Sequence, residues 1–260
     1  MTNDNDAAPA SEAPQRRDRE ELRSATTPED GGVVVPGEKR RKGGWLRETA
    51  IVVVSALVLS VLIKTFLVQA FFIPSGSMED TLAVGDRVLV SKLAPGPLDV
   101  NRGDVVVFVD PGGWLDAPPD DRSSLQQGFE EVLTFIGLLP QNAGEHLIKR
   151  IIGTGGDTVE CCDDEGRLTV NGVGIDEPYL KPGVSPSESE FSVTVPEDHL
   201  WLMGDNRSNS QDSRSHRGDP GGGAVPMSNV VGTAMVILWP LDSLTVLRNP
   251  GDTFAEVPEP

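Results

Sequence analysis

Ile73-Pro74-Ser75-Gly76-Ser77-Met78 directly follows an apolar segment of the chain, and a lysine stands farther on in the apolar run Leu147-Ile148-Lys149-Arg150-Ile151-Ile152. A serine hydroxyl is a weak nucleophile that needs a base to remove its proton. A lysine serves as that base only when burial makes it lose its proton near neutral pH. The two stretches together predict a serine nucleophile, held at a membrane and activated by an unprotonated lysine.

The charge of the chain is strongly negative and unevenly distributed. The 260 residues hold 22 Lys and Arg against 40 Asp and Glu, a formal net charge of −18. Residues 1–73 hold as many basic as acidic residues, so residues 74–260 carry the whole net negative charge. An acidic domain lacks the basic surface that nucleic acids bind, which predicts no nucleic-acid partner. The same charge disfavours broad adhesion to an anionic membrane surface.

The amino-terminal part of the chain changes composition twice. Residues 1–44 are rich in Pro, Ser, Ala, Asp and Glu without a sustained apolar period, so we expect a disordered tail. The basic cluster Lys39-Arg40-Arg41-Lys42 then precedes a charge-free apolar stretch from Thr49 to Ile63. Residues 45–72 are therefore predicted to form a single transmembrane anchor. The positive-inside bias predicts a cytoplasmic tail, with everything after about residue 68 on the outer face of the cell membrane.

Two other structures would have the same apolar composition. One is a helix buried in a protein core, which the basic cluster ahead of the stretch disfavours. The other is a cleaved signal peptide, for which Val68-Gln69-Ala70 offers small residues at cleavage-site spacing. Because the tail of residues 1–44 is far longer than the charged leader of such peptides, a retained anchor is favoured.

Beyond the anchor, the dominant pattern is that of short β-strands in an extracytoplasmic domain at residues 73–248. Short Val-rich runs bounded by Gly, Pro and Asp favour a mostly β fold, a barrel or a sandwich. Residues 110–142 interrupt the pattern, because apolar residues within 125–139 fall at helical spacing. We expect an inserted helix there, packed on the domain rather than resting on the bilayer. Residues 249–260 are expected to form a C-terminal tail.

Histidine and lysine compete for the role of the base. His146, His199 and His216 would allow a Ser-His-Asp arrangement, but the pattern Gly-x-Ser-x-Gly is absent around Ser77. Lys149 alternates with apolar residues in a predicted strand, and its arginine neighbour cannot act as a base. Lys149 is the predicted base, although taken alone it also fits a lysine on an edge strand.

A polar run later in the chain favours the lysine, namely Met203-Gly204-Asp205-Asn206-Arg207-Ser208-Asn209-Ser210-Gln211-Asp212-Ser213-Arg214. With the serine and lysine stretches, this run resembles the bacterial type I signal peptidases. These are membrane-bound Ser/Lys proteases that remove signal peptides from exported proteins. Two further matches are Gly85-Asp86-Arg87-Val88-Leu89-Val90 and Arg102-Gly103-Asp104-Val105-Val106-Val107-Phe108. The resemblance covers Trp45 to about Pro240, with the motifs in the order of the family.

The resemblance implies a catalytic role for each matching polar residue. Ser77 would be the nucleophile and Lys149 the general base. The Ser75 hydroxyl and the Ser77 backbone N–H would form the oxyanion hole, which stabilises the charge that develops on the scissile carbonyl. Ser210 would orient the lysine. No metal or organic cofactor is implied.

The resemblance also implies how a substrate is held. An exported preprotein would bind as an added strand and be cut at small-x-small sites such as Ala-x-Ala. The residues in positions resembling the pocket lining are Ile73, Met78, Leu82 and Ile148. An ion pair of Asp212 and Arg214 would brace the neighbouring loop.

Three features depart from the family pattern. Asp80 stands where the family usually has proline, which alters the stiffness of the turn behind the nucleophile. Residues 215–226 are longer and richer in glycine than usual, as expected for a flexible surface loop. Cys161 and Cys162 are adjacent, and the sequence leaves open whether they form a vicinal disulfide or remain separate thiols.

Two other functions have sequence features in their favour. A self-cleaving Ser/Lys protease similar to the SOS repressor group would share the dyad, but that group is soluble and carries a DNA-binding region. A membrane-anchored β-domain that binds peptide strands without cutting them would share the fold. The second alternative would tolerate the loss of Ser77, whereas an enzyme would not.

Overall fold

The computed structural model of the protein describes residues 42–115 and 146–260. The expected tail up to residue 41 and the helix expected within 125–139 lie outside the described residues. The chain divides into a unit at residues 1–46 and a unit at residues 47–260. Of the first unit only the start of a helix is described, and all other elements belong to the second.

One long helix, α1, spans Lys42–Phe66 and has apolar side chains on all its faces. Its segment Gly44–Phe66 is long and apolar enough to cross a bilayer, and the most apolar part of this segment is not buried against the rest of the described chain. Such a helix suits a lipid surrounding, because its backbone groups are paired internally. The expected anchor ran to residue 72, but the helix ends at Phe66. Val68–Phe72 pairs instead as a strand with Arg87–Ser91.

The described residues after the helix form two antiparallel sheets. The strands are β1 Val68–Phe72, β2 Arg87–Ser91, β3 Val105–Val109, β4 His146–Thr154, β5 Thr158–Cys161, β6 Leu168–Val170, β7 Val173–Gly174, β8 Phe191–Thr194, β9 His199–Met203, β10 Val225–Pro226, β11 Val230–Trp239 and β12 Thr245–Val246. The larger sheet has the order β1-β2-β11-β3-β4-β9-β10, with β12 paired to β11, and the smaller has the order β7-β6-β5-β8. Short 3-10 helices lie at Gly76–Met78, Arg207–Asn209, Met227–Asn229, Leu241–Ser243 and Gly251–Phe254. The predicted mostly β fold on an N-terminal helix is confirmed.

Strand β3 shows how the valine-rich runs build the core. Val105 and Val107 belong to one apolar cluster, which includes Ile148 of β4. Val106 and Phe108 point to the other face and join a second cluster. Because both faces of the strand are covered, its sequence is a continuous apolar run instead of an alternating one. This central position holds the neighbouring strand β4 firmly in register.

The C-terminal residues differ from the expected tail. Phe254 and Val257 are buried in the apolar cluster that covers the smaller sheet. The carbonyl of Pro258 accepts a hydrogen bond from Nη2 of Arg102 at 3.2 Å. Two apolar side chains in a polar segment are enough to dock residues 249–260 on the domain, since burying each stabilises the fold by about 1.5–3 kcal/mol.

The two adjacent cysteines form a disulfide, which the sequence alone had left open. Cys161 ends strand β5, and its sulfur is bonded to that of Cys162 in a vicinal disulfide. Cys161 is buried in the apolar cluster of the smaller sheet, whereas Cys162 is exposed. The disulfide therefore lies at the end of β5 in the smaller sheet, whereas Lys149 lies in β4 of the larger sheet.

Candidate active site

Two elements bring Ser77 and Lys149 together. Ser77 lies in the 3-10 helix that follows β1, and Lys149 lies in the middle of β4, opposite Val106 of β3. Both residues are buried, with exposed fractions of 6% for Ser77 and 4% for Lys149. Water is therefore largely excluded from the pair, which makes a charge on either side chain costly.

The side-chain nitrogen of Lys149 contacts the hydroxyl of Ser77 directly. Nζ lies 2.7 Å from Ser77 Oγ and 3.0 Å from the carbonyl oxygen of Ile148. Burial lowers the pKa of Lys149 to about 8, against the opposing attraction of the Asp212 and Asp205 carboxylates. About a tenth of the lysine is then unprotonated at pH 7, and an unprotonated Nζ can accept the proton of the serine.

Ser75 lies on the solvent side of the nucleophile. Its Oγ is 3.4 Å from Ser77 Oγ, and the residue is exposed. Its backbone has an extended conformation, with φ of −127° and ψ of 155°, immediately before the 3-10 helix that carries Ser77. The two hydroxyls are thus neighbours, and a carbonyl group that enters from solvent would meet both.

Ser210 lies close to the pair, and its buried hydroxyl has no hydrogen-bond partner among the described residues. It follows the 3-10 helix Arg207–Asn209. The hydrogen bonds described for Lys149 go to Ser77 and Ile148, and none of those described joins Lys149 to Ser210. The orienting role expected of Ser210 stays a prediction.

The expected ion pair of Asp212 and Arg214 is formed. Arg214 donates from Nε to Asp212 Oδ1 at 2.9 Å and from Nη2 to Oδ2 at 2.8 Å. Burial alone would raise the pKa of Asp212, but the hydrogen bonds and charge of Arg214 lower it below its usual value. The ionised carboxylate also accepts a bond from the backbone N–H of Gly204 at 3.0 Å. The pair therefore fixes the start of the polar loop at residues 204–214.

Four apolar residues expected to line a substrate pocket lie in one cluster. Their exposed fractions are 2% for Ile73, 0% for Met78, 1% for Leu82 and 7% for Ile148. Phe71 of β1 belongs to the same cluster. Because Met78 is adjacent to Ser77 and Ile148 is adjacent to Lys149, this cluster borders the polar pair on both sides. The pocket-lining role expected of these four residues stays a prediction.

A buried ionic network behind the pair was not expected from the sequence. Arg150 donates from Nε and Nη2 to the two carboxylate oxygens of Asp205, at 2.9 and 2.6 Å. Asp205 also accepts a bond from Thr81 Oγ1 at 2.5 Å, and the guanidinium of Arg150 lies 4.0 Å from the ring centre of Tyr179. The network ties β4 and the polar loop to the turn after Ser77. The adjacent Lys-Arg pair in β4 was the available signal, since a buried arginine needs a carboxylate partner.

Comparison with known proteins assigns the chain to a family. A family model described as "Signal peptidase, peptidase S26" matches residues 46–239. The chain belongs to this signal peptidase family. The "Signal peptidase I" of Mycobacterium tuberculosis is 38% identical over 94% of this chain and 87% of that protein. The "Probable signal peptidase I" of Mycobacterium leprae is 38% identical over 82% of each chain.

One solved structure is also similar. A crystal structure of a signal peptidase I from Enterococcus faecalis V583 matches 52% of this chain and 97% of that chain, with 24% identity and a TM-score of 0.34. The family assignment itself rests on the matches in sequence, which cover most of the chain. It confirms the resemblance to the signal peptidases and makes the chain a peptidase.

The histidines of this signal peptidase family member have other contacts. His199 Nδ1 lies 2.7 Å from the carbonyl of Glu197, and the ring of His216 stacks on Trp114 at 4.4 Å between centres. The ring of His146 lies beside that of Phe71. Among residues 42–115 and 146–260, no group of three or more His, Cys, Asp or Glu is placed to hold a metal ion.

Proposed function

We propose that this membrane-anchored signal peptidase family member removes signal peptides from exported preproteins, with Ser77 as nucleophile and Lys149 as general base. The observation that carries the proposal is the 2.7 Å contact between Lys149 Nζ and Ser77 Oγ inside a buried site. The lowered pKa of Lys149, about 8, supports it further. A buried lysine whose nitrogen contacts a serine hydroxyl is the arrangement that activates a serine without a histidine.

The first half of the reaction forms an acyl-enzyme. Neutral Lys149 accepts the Ser77 proton while Oγ attacks the scissile carbonyl carbon. The negative charge moves to the carbonyl oxygen, where the Ser77 N–H and the Ser75 hydroxyl donate hydrogen bonds. The intermediate then breaks the carbon–nitrogen bond. The leaving amine of the mature protein takes the proton from the Lys149 ammonium.

The second half releases the signal peptide. The departure of the amine leaves room for a water molecule beside Lys149, which is neutral again. Lys149 removes a proton from this water as the oxygen attacks the ester carbon. The second tetrahedral intermediate expels Ser77 Oγ, which takes the proton back from the lysine. The enzyme is then in its starting state, and a carboxylic acid has been formed on the signal peptide.

Substrate selection would depend on the apolar cluster beside the dyad. Each of Ile73, Met78, Leu82 and Ile148 is at most 7% exposed, so a pocket that opened among them would have room for the small side chains of an Ala-x-Ala site and not for large ones. Helix α1 supports the same function, because a membrane anchor keeps Ser77 near the bilayer from which signal peptides emerge. The proposed orientation has the N-terminus in the cytoplasm and the β-domain on the outer face.

The decisive experiment follows cleavage of a preprotein with an Ala-x-Ala site by the full chain in detergent micelles. Ser77→Ala and Lys149→Ala are expected to abolish cleavage. A triple change of His146, His199 and His216 to alanine is expected to leave it. If Lys149→Ala cuts normally, the dyad is wrong. If the unaltered protein binds the preprotein but never cuts it, the chain is a peptide-binding domain instead.

A further inference from the structure

Asn206 holds both peptide groups that flank Ser77. Its backbone N–H donates to the carbonyl oxygen of Ser77 at 3.1 Å. Its side-chain Nδ2 donates to the carbonyl oxygen of Gly76 at 3.0 Å. The two bonds come from one residue, which is itself buried with an exposed fraction of 3%. Asn206 therefore holds the backbone by hydrogen bonds on either side of the nucleophile.

Because of peptide geometry, these two hydrogen bonds also orient the N–H and the Oγ of Ser77. A peptide group is planar and trans, so its C=O and N–H point in opposite directions. Holding the Gly76 carbonyl toward Asn206 points the Ser77 N–H away from Asn206, on the side where the substrate carbonyl would lie. Holding both flanking peptides also fixes the two backbone dihedrals of Ser77. The direction of its Cβ and Oγ toward Lys149 follows from these dihedrals.

The orientation of the Asn206 amide is itself set by its neighbours. Nδ2 lies 3.1 Å from a carboxylate oxygen of Glu79, a second acceptor beside the Gly76 carbonyl. Oδ1 lies 3.4 Å from the Ser208 hydroxyl, which donates to it. Two acceptors face the nitrogen, so a flipped amide would turn its oxygen toward both of them and lose both contacts. Lys181 Nζ lies 2.5 Å from the same Glu79 oxygen and keeps that carboxylate in place.

We infer that Asn206 is a positioning residue for the oxyanion-hole N–H of Ser77, and that Glu79 orients the Asn206 amide for this task. The inference rests on the proposed function of Ser77 as nucleophile. Asn206 acts through the backbone of Ser77 and has no described contact with Lys149. Its loss is therefore expected to reduce the rate of the chemical step without changing the pKa of the base.

The test measures cleavage of an Ala-x-Ala peptide by the full chain in detergent, with kcat and KM separated. Asn206→Asp keeps the shape of the side chain but turns a carboxylate oxygen toward the Gly76 carbonyl and Glu79, which repels both. We expect kcat to fall about 10²-fold, the effect of displacing a catalytic group by about 1 Å. KM should stay unchanged. The new carboxylate raises the pKa of Lys149, as Asp212 and Asp205 do, so kcat is compared at alkaline pH, where the base is neutral in both proteins. Asn209→Asp is the matched control, because Asn209 lies in the same loop with its side chain exposed.

Two results would overturn the inference while the proposed function stands. In the first, Asn206→Asp cuts with the kcat of the unaltered protein. In the second, the alkaline kcat, KM and the thermal midpoint all change together, as expected of general damage to the fold. If the unaltered protein itself never cuts, or if Ser77→Ala still cuts, the proposed function fails instead.

A second pair of variants serves if Asn206→Asp does not fold. Glu79→Gln keeps an oxygen that accepts from Asn206 Nδ2 and is expected to keep kcat, since the lost pair with Lys181 is partly exposed and contributes little. Glu79→Ala removes the acceptor and is expected to lower kcat about tenfold at unchanged KM, a fraction of the effect of a full displacement. Equal kcat values for the two variants would overturn the inference.

Discussion

Gly204 lies so close to Ser77 that a Cβ atom on Gly204 would stand 2.5 Å from the Ser77 carbonyl oxygen. The same Cβ would also collide with the hydroxyl of Ser210. The approach lets the next residues of the polar loop reach the nucleophile, since the N–H of Asn206 donates to that carbonyl. A glycine is needed here for close approach rather than for an unusual backbone dihedral.

Gly204→Ala is therefore expected to push the polar loop away from Ser77. The cost of overpacking is about 1–3 kcal/mol in the free energy of unfolding. The displaced nucleophile should lower kcat about 10²-fold. Preprotein cleavage and thermal unfolding in detergent measure the two effects. The control is Gly218→Ala, where a Cβ would meet no atom within 4 Å and no change is expected; a Gly204→Ala protein as active as the control contradicts the prediction.

The pKa of Lys149 predicts the pH dependence of cleavage. Because burial lowers this pKa to about 8, the base is mostly protonated below pH 8 and mostly neutral above it. Acid should therefore reduce kcat/KM by about tenfold for each pH unit below 8, and alkali should raise it to a plateau. Lys149→Arg, which stays charged, should be inactive at every pH. A profile of kcat/KM that is flat or rises toward acid would contradict the assignment of the base.

Asp212 opposes the effect of burial on Lys149. Its negative charge raises the pKa of the lysine, so Asp212→Asn is expected to lower that pKa further. The acid limb of kcat/KM should then move to lower pH, even if the plateau falls because Arg214 has lost its partner. Asp242→Asn removes the same charge from an exposed position and should leave the limb in place. A limb that moves to higher pH in Asp212→Asn contradicts the sign.

Glu177 and Arg207 form an ion pair whose side chains are each 1% exposed. Glu177→Gln keeps the shape of the side chain but leaves the charge of Arg207 buried without a counter-charge. We expect a loss of about 3–5 kcal/mol in the free energy of unfolding, measured by urea titration in detergent. Glu165→Gln is the matched control, because Glu165 is 70% exposed beside Arg167 and should cost less than about 1 kcal/mol. Equal losses in the two variants would contradict this.

The sequence predicted those features that a repeating pattern or a motif carries. Strand β3 was predictable because a strand buried on both faces has a continuous apolar run. The pairing of Lys149 with Ser77 was predicted from the order of the motifs. The end of α1 was misplaced because the apolar residues after Phe66 suit a helix in lipid and a strand in a core equally well. The pairing of Glu177 with Arg207 was not predictable, since contacts between loops depend on the path of the chain and follow no period.

The backbone of Asp80 gives one further test, at the position where the sequence departs from the family pattern. Asp80 has a φ of +89°, which L-residues adopt at a cost and which the ring of proline forbids. The residue is exposed, so a substitution changes little besides the backbone. Asp80→Gly is expected to stabilise the fold by about 1 kcal/mol. Asp80→Pro should destabilise it by about 3 kcal/mol and reduce cleavage, because the turn carries Ser77. Asp80→Ala separates the effect of the lost charge, and a proline variant as stable as the alanine variant would mean that the turn adopts another backbone conformation.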